Sequence, residues 1–116
     1  VCSDIFGRKR RIRSNDVKRN PKHALNMIVN FSPQSSACAM MELAMARLRD
    51  IWIDESSWMN GIWPTNFVHD EVVYEVHEEL VDSVVQTLVD QLEHSVQLQV
   101  PVRADVMVVD RWGDAK

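Results

Sequence analysis

His69, Asp70 and Glu71 stand together between two apolar, β-branched stretches, Asn66-Phe67-Val68 and Val72-Val73-Tyr74-Glu75-Val76. This pattern predicts a tight hairpin with a carboxylate at its bend. A bend holds an acidic side chain rigidly and leaves one side of it open, which suits a metal ion that takes few protein ligands. Turns also favour Asp and other polar groups for their own backbone reasons. Taken alone, the three residues fit that plainer account equally well.

A second polar set lies near the start of the chain. Residues 1–23 hold eight Lys or Arg, among them Arg8, Arg10, Arg11 and Lys22, against Asp4 and Asp16, a surplus of six. The remaining residues hold five basic and fifteen acidic groups, which brings the formal net charge to −4. A basic arm on an acidic body suggests one face turned to a polyanion, with a solvated charge run as the bland reading. His23, His69, His77 and His94 lack the pairing and spacing of a zinc site. Cys2 and Cys38 fit no metal spacing either and read as reduced thiols of a cytosolic compartment. Met40, Met41 and Met45 are expected to fill gaps in a core. Trp58 and Trp63 are expected to pack their loop against the body rather than stack on bases.

These residues must be positioned by the elements around them. Ile5-Phe6-Gly7 leads as a strand or turn into the basic loop Arg8–Arg13. Asn20-Pro21 is a helix start, with Asn as cap and Pro at the first helical position. That helix is expected to end near Asn30, because Pro33 disfavours helical geometry in Ser32. A second helix should run from Gln34 to about Ile53, with Ala37, Met41, Ala44, Leu48 and Trp52 as one buried stripe. Asp54–Thr65 reads as a loop. Leu80, Val84, Leu88 and Leu92 mark an amphipathic helix with Glu78, Glu79 and Asp82 in its first turn. Val102, Ala104, Val106 and Val108 alternate with Arg103 and Asp105 as a half-buried strand would. The sum is α+β: long helices packed on one face of a small antiparallel sheet.

At 116 residues the chain allows one domain with a modest core. A hydrophobic fraction of 46% excludes wholesale disorder. No apolar run approaches the roughly 18 residues of a membrane span, so no membrane partner is expected. The N-terminus has no apolar core of a signal peptide. The start at Val1 reads as a cut from a longer protein.

Four segments, in order, resemble the C-terminal part of family A (polymerase I-type) DNA polymerases. Phe6-Gly7-Arg8-Lys9-Arg10-Arg11 looks like the basic stretch after the fingers helices. Asn30-x-x-x-Gln34, then Ser35-Ser36-Ala37 and a helix through Leu43-Ala44-Met45, is similar to the helix that touches primer and template in the minor groove. Val68-His69-Asp70-Glu71 is similar to motif C. Val100-Pro101 through Asp105, with Trp112-Gly113-Asp114-Ala115-Lys116, resembles the family's closing strand and C-terminus. Three positions depart from the pattern: Ser35 replaces a common Gly, Ala39 a usual Asp, and Asn26 a frequent Arg, with Lys22 and His23 one turn earlier. The Ser variant suggests a phage-like branch.

The resemblance implies a partial polymerase palm. Residues 1–30 would form a basic fingers-to-palm connection with a short helix, and residues 31–116 the C-terminal palm subdomain with the hairpin. It implies template-directed nucleotidyl transfer with two Mg2+ ions in the complete active site. Asp70 would be a shared metal ligand, Glu71 a weaker metal contact and His69 an orienting residue near the primer terminus. Asn30, Gln34, Arg8, Arg10, Arg11 and Lys22 would meet nucleic acid. The implied partners are primer-template DNA, deoxynucleoside triphosphates and the remaining polymerase segments, in the cytoplasm of a bacterial or phage-infected cell. The second catalytic Asp and the nucleotide-gripping fingers helix do not occur in this chain, so it is expected to be inactive alone. Two alternatives stand beside this reading: a non-catalytic nucleic-acid-binding module of palm shape, and a fragment of a phage-type single-subunit RNA polymerase, which resembles His-Asp-Ser where this chain has Glu71.

Overall fold

A computed structural model describes residues 1–53 and 61–115. The chain forms two compact units, Val1–Ala39 and Met40–Lys116. Among the described residues its architecture is α+β, with two small antiparallel sheets and helices of very different length.

In the first unit, strands β1 (Cys2–Ser3) and β2 (Lys9–Arg10) pair Cys2 with Arg10 and Ser3 with Lys9. The turn between them uses Gly7 at a φ of +83°, a left-handed conformation that costs glycine nothing. A short helix α1 (Ser14–Arg19), not foreseen from sequence, precedes α2 (Pro21–Trp52). The expected cap forms: the Asn20 side-chain oxygen accepts from the His23 amide at 3.0 Å, and Pro21 opens the helix.

The expected break at Phe31-Ser32-Pro33 does not occur, and α2 continues through Pro33. Proline lacks the amide that would bond back to Val29 and crowds that turn, so the missing bond is a cost the helix carries. Hydrogen bonds from outside the helix meet its next turn, at Ser35 and Ser36, and hold it in register. Ala24, Ser35 and Ser36 are buried here, whereas Ala37, placed in the buried stripe by its spacing, is exposed.

The second unit contains the hydrophobic core. Leu48 from α2 meets Val84 and Leu88 from α3 (Val81–His94), with Met45, Trp52, Ile62, Val72, Tyr74 and Val76 packed around them. The sheet is the hairpin of β3 (Ile62–Val68) and β4 (Glu71–Val76). Val72, Tyr74 and Val76 are two apart and so share its core-facing side. Trp52 stands edge-on to Tyr74 with ring centroids 5.3 Å apart. Register shifts between Pro64 and Asn66, and a bulge is a place where a strand tolerates proline.

Part of the expected Asp54–Thr65 loop is therefore strand from Ile62 onward; residues 54–60, including Trp58, lie outside the described residues. Trp63 packs edge-on against His77 at 5.4 Å. Gly61, at a φ of +80°, lies so close to the His77 ring that a Cβ would collide with it. The expected strand over Val102–Val108 is absent. That stretch forms no ladder among the described residues, and Val106, Met107 and Val108 are exposed. Alternation supplies the faces of a strand, but only a neighbouring backbone supplies its hydrogen bonds. Instead the tail is tied to α3 through Glu93, which accepts from the Ala104 amide at 3.0 Å and pairs with Arg103 at 3.7 Å.

Candidate functional site

The hairpin bend is built as tightly as a two-residue connection allows: Val68 pairs with Glu71, leaving only His69 and Asp70 between the strands. His69 takes a φ of +56°, in the region side-chain-bearing residues rarely enter. Non-glycine residues held there are a local strain that the paired strands on either side must sustain. Both His69 and Asp70 are exposed, and among the described residues Asp70 has no hydrogen-bond or ion-pair partner.

Glu71 differs from its neighbour. Its Oε1 accepts a hydrogen bond at 3.2 Å from the indole Nε1 of Trp112, which opens a short 3-10 helix, Trp112–Asp114, near the C-terminus. Strand alternation puts Glu71 off the Val72/Tyr74/Val76 side, so the indole meets it on the outer side of the hairpin. Sequence reasoning gave Trp112 no role; its only signal is an indole N–H that seeks an acceptor.

Among the described residues, no three His, Cys, Asp or Glu side chains gather as a metal cage. The donor set still fits magnesium, which accepts one or two carboxylates, keeps several waters and completes its shell on phosphate oxygens. Asp70 supplies the open hard-oxygen donor, while Glu71 already serves the indole.

The first unit assembles a different site. Arg10, His23, Asn26, Met27, Asn30 and Gln34 line an open groove of about 310 Å³. The helical contributors are three or four residues apart, so they fall on one face of α2. That face is continuous only because the helix does not break at Pro33. Arg10 places its guanidinium carbon 5.9 Å from the centroid of the Phe31 ring, within cation–π range. The groove thus offers one fixed cation beside neutral amides, which can donate to and accept from base edges.

The sequence-selected residues therefore divide into three groups. Arg10, Asn30 and Gln34 come together in the groove. Arg8, Arg11 and Lys22 are exposed in the same unit but do not line it. His69, Asp70 and Glu71 belong to the second unit. His23 and Asn26 join the groove without having been selected, although their spacing from Asn30 was legible.

Beneath the basic turn lies a carboxylate that sequence reasoning passed over. Asp4 is buried and accepts from the Ser35 hydroxyl at 2.6 Å, the Arg8 amide at 2.8 Å and the Phe6 amide at 3.0 Å. The Ser35 hydrogen bond, helped by those two amides and the Arg8 charge, holds its carboxyl below the ordinary carboxylate value, with burial pulling the other way. In the second unit, burial pushes the Tyr74 phenol up to about 12. Its hydroxyl donates to the Met45 sulfur at 3.2 Å.

Among the described residues, no helix is long and apolar enough to cross a membrane. A family model described as DNA polymerase family A matches residues 1–114. A DNA polymerase I of Treponema pallidum (strain Nichols) is 28% identical over 114 residues, covering 97% of this chain and 11% of that relative. The chain thus spans about a tenth of the curated relative it matches. No solved structure matches it.

Proposed function

Because this chain belongs to DNA polymerase family A, we propose that it is the C-terminal palm segment of a phage-like DNA-directed DNA polymerase, working in the cytoplasm as part of a larger active site. The observation that carries the reading is Asp70, an exposed carboxylate without a partner among the described residues, at a two-residue bend in a chain that matches this family almost from end to end.

In this reading Asp70 is a ligand to magnesium, which in the complete site would polarise the phosphate oxygens during nucleotidyl transfer. Glu71, held by Trp112, fixes the start of β4 and stands as a weaker ligand. His69 faces the primer terminus from the strained position of the bend. Asn30 and Gln34 probe the minor groove of primer-template DNA, where acceptors recur on every base pair and report its shape rather than its sequence. Arg8, Arg10, Arg11 and Lys22 meet phosphates. The second acidic ligand and the deoxynucleoside triphosphate site come from the remaining polymerase segments.

The test has two arms. The isolated 116-residue chain is expected to extend no primer in the presence of magnesium. In the reassembled polymerase, Asp70→Asn is expected to lower the extension rate by about 10²–10³, the usual cost of one transition-state charge contact, with the fold unchanged by circular dichroism. Near-normal turnover of that variant, or robust extension by the chain alone, would overturn the reading.

A further inference from the structure

A buried carboxylate inside a basic turn calls for a reason, since its charge opposes the binding of any polyanion by that turn. The reason lies in what Asp4 holds. Its Oδ1 accepts from the amides of Phe6 and Arg8 and its Oδ2 from the Ser35 hydroxyl, so one side chain closes the turn and ties it to α2. A second strap runs alongside, from the Ile5 amide to the Ser36 hydroxyl at 3.3 Å. Ser36 in turn donates to the Ser32 carbonyl at 2.6 Å. The backbone adds its own closure: Asp4 donates to the Arg8 carbonyl at 3.0 Å, and Gly7 to the Asp4 carbonyl at 3.2 Å.

Two residues beyond Arg8, β2 delivers Arg10 to the groove, over Phe31 and beside Asn30 and Gln34. Neither Asp4 nor Ser35 lines that groove. Both are buried, 6% and 9% exposed, and neither side chain is open to a ligand. Ser35 also occupies the position where the resembled family commonly carries Gly, which has no hydroxyl to donate.

We propose that Asp4 and Ser35 are positioning residues for nucleic-acid binding: their hydrogen bond fixes the direction in which the basic turn presents its guanidinium groups beside the Asn30 and Gln34 amides. The proposal rests on the nucleic-acid reading of the groove. It assigns a favourable role to a negative charge, and this makes it separable from simple electrostatics.

Fluorescence anisotropy of the 116-residue chain on a labelled DNA duplex, measured from 50 to 200 mM salt, provides the test. Asp4→Ala removes a negative charge; if charge alone mattered, it would tighten binding and steepen the salt dependence. A misdirected turn instead loses phosphate contacts, each worth about 0.9 in the log–log slope, or about 3.5-fold less affinity change across that salt range. Asp4→Ala and Ser35→Ala, the second with no change of charge, are each expected to weaken binding and flatten the slope by one or two such contacts. The double variant is expected to be no worse than the poorer single one. Phe6 and Arg8 amide signals in NMR spectra are expected to lose exchange protection in both variants, while those of α3 keep theirs, separating a freed turn from an unfolded chain. Tighter binding by Asp4→Ala with Ser35→Ala unchanged would overturn the clasp and leave the groove reading intact. Absence of duplex binding by the unmodified chain would overturn both.

Discussion

Asp4, Asp70 and Glu71 carry the same functional group into three environments. Asp70 is exposed at a bend and has no partner among the described residues, Glu71 holds an indole, and Asp4 is buried under three donors. Asp4 and Tyr74 should bound the pH range of stability. Folded Asp4 holds its proton less tightly than the unfolded chain does, so acid favours unfolding. Its contribution is complete above the ordinary value of 3.8 and disappears as pH falls through the lowered value. Folded Tyr74 holds its proton more tightly, so its contribution is complete below 10 and disappears as pH rises to about 12. Melting temperatures across pH should therefore fall at both ends, with Asp4→Asn flattening the acid limb and Tyr74→Phe the alkaline one. The bend at His69-Asp70 was legible because its flanking apolar runs are local. Asp4 was not, because its partner Ser35 lies 31 residues away and nothing near Asp4 announces it.

At the scale of elements, α2 carries a defect that could be removed. Pro33 sits exposed inside a 32-residue helix, where proline typically costs about 3 kcal/mol relative to alanine. Pro33→Ala should restore the bond to the Val29 carbonyl and raise unfolding free energy by about 1–3 kcal/mol, read as a higher urea midpoint. A lower midpoint would mean that the proline shapes the turn bearing Ser35. The misjudged break has a physical source: the rule about residues before proline is a bias of the local chain, and distant hydrogen bonds to Ser35 and Ser36 act against it. Helix α3 was legible for the opposite reason. Its apolar period matches one core, so Val84 and Leu88 are buried where the pattern put them. The expected strand at Val102–Val108 failed because alternation says nothing about a pairing partner.

Across the whole molecule, charge and core are unevenly shared. The surplus of basic residues lies within the first unit, whereas Leu48, Val84 and Leu88 all belong to the second. Legibility followed the same division. Composition revealed the basic arm and period revealed the core helix, while the groove of the first unit became visible only once α2 was seen to be unbroken. The bare segment from Leu98 to Val109 has a practical consequence. Leu98, Val100, Val106, Met107, Val108 and Val109 are exposed along it, and its apolar run 106–109 is of high β-propensity without a ladder among the described residues. Such a stretch is a template for its own copies, and stacked side by side these segments would form cross-β fibrils. Concentrated solutions of the chain should therefore turn cloudy and bind thioflavin T, with a lag that shortens steeply as concentration rises. Val108→Lys, a gatekeeper charge inside the apolar run 106–109, should lengthen that lag severalfold, so the shelf life of the preparation would be set by a stretch that belongs to neither the groove nor the hairpin.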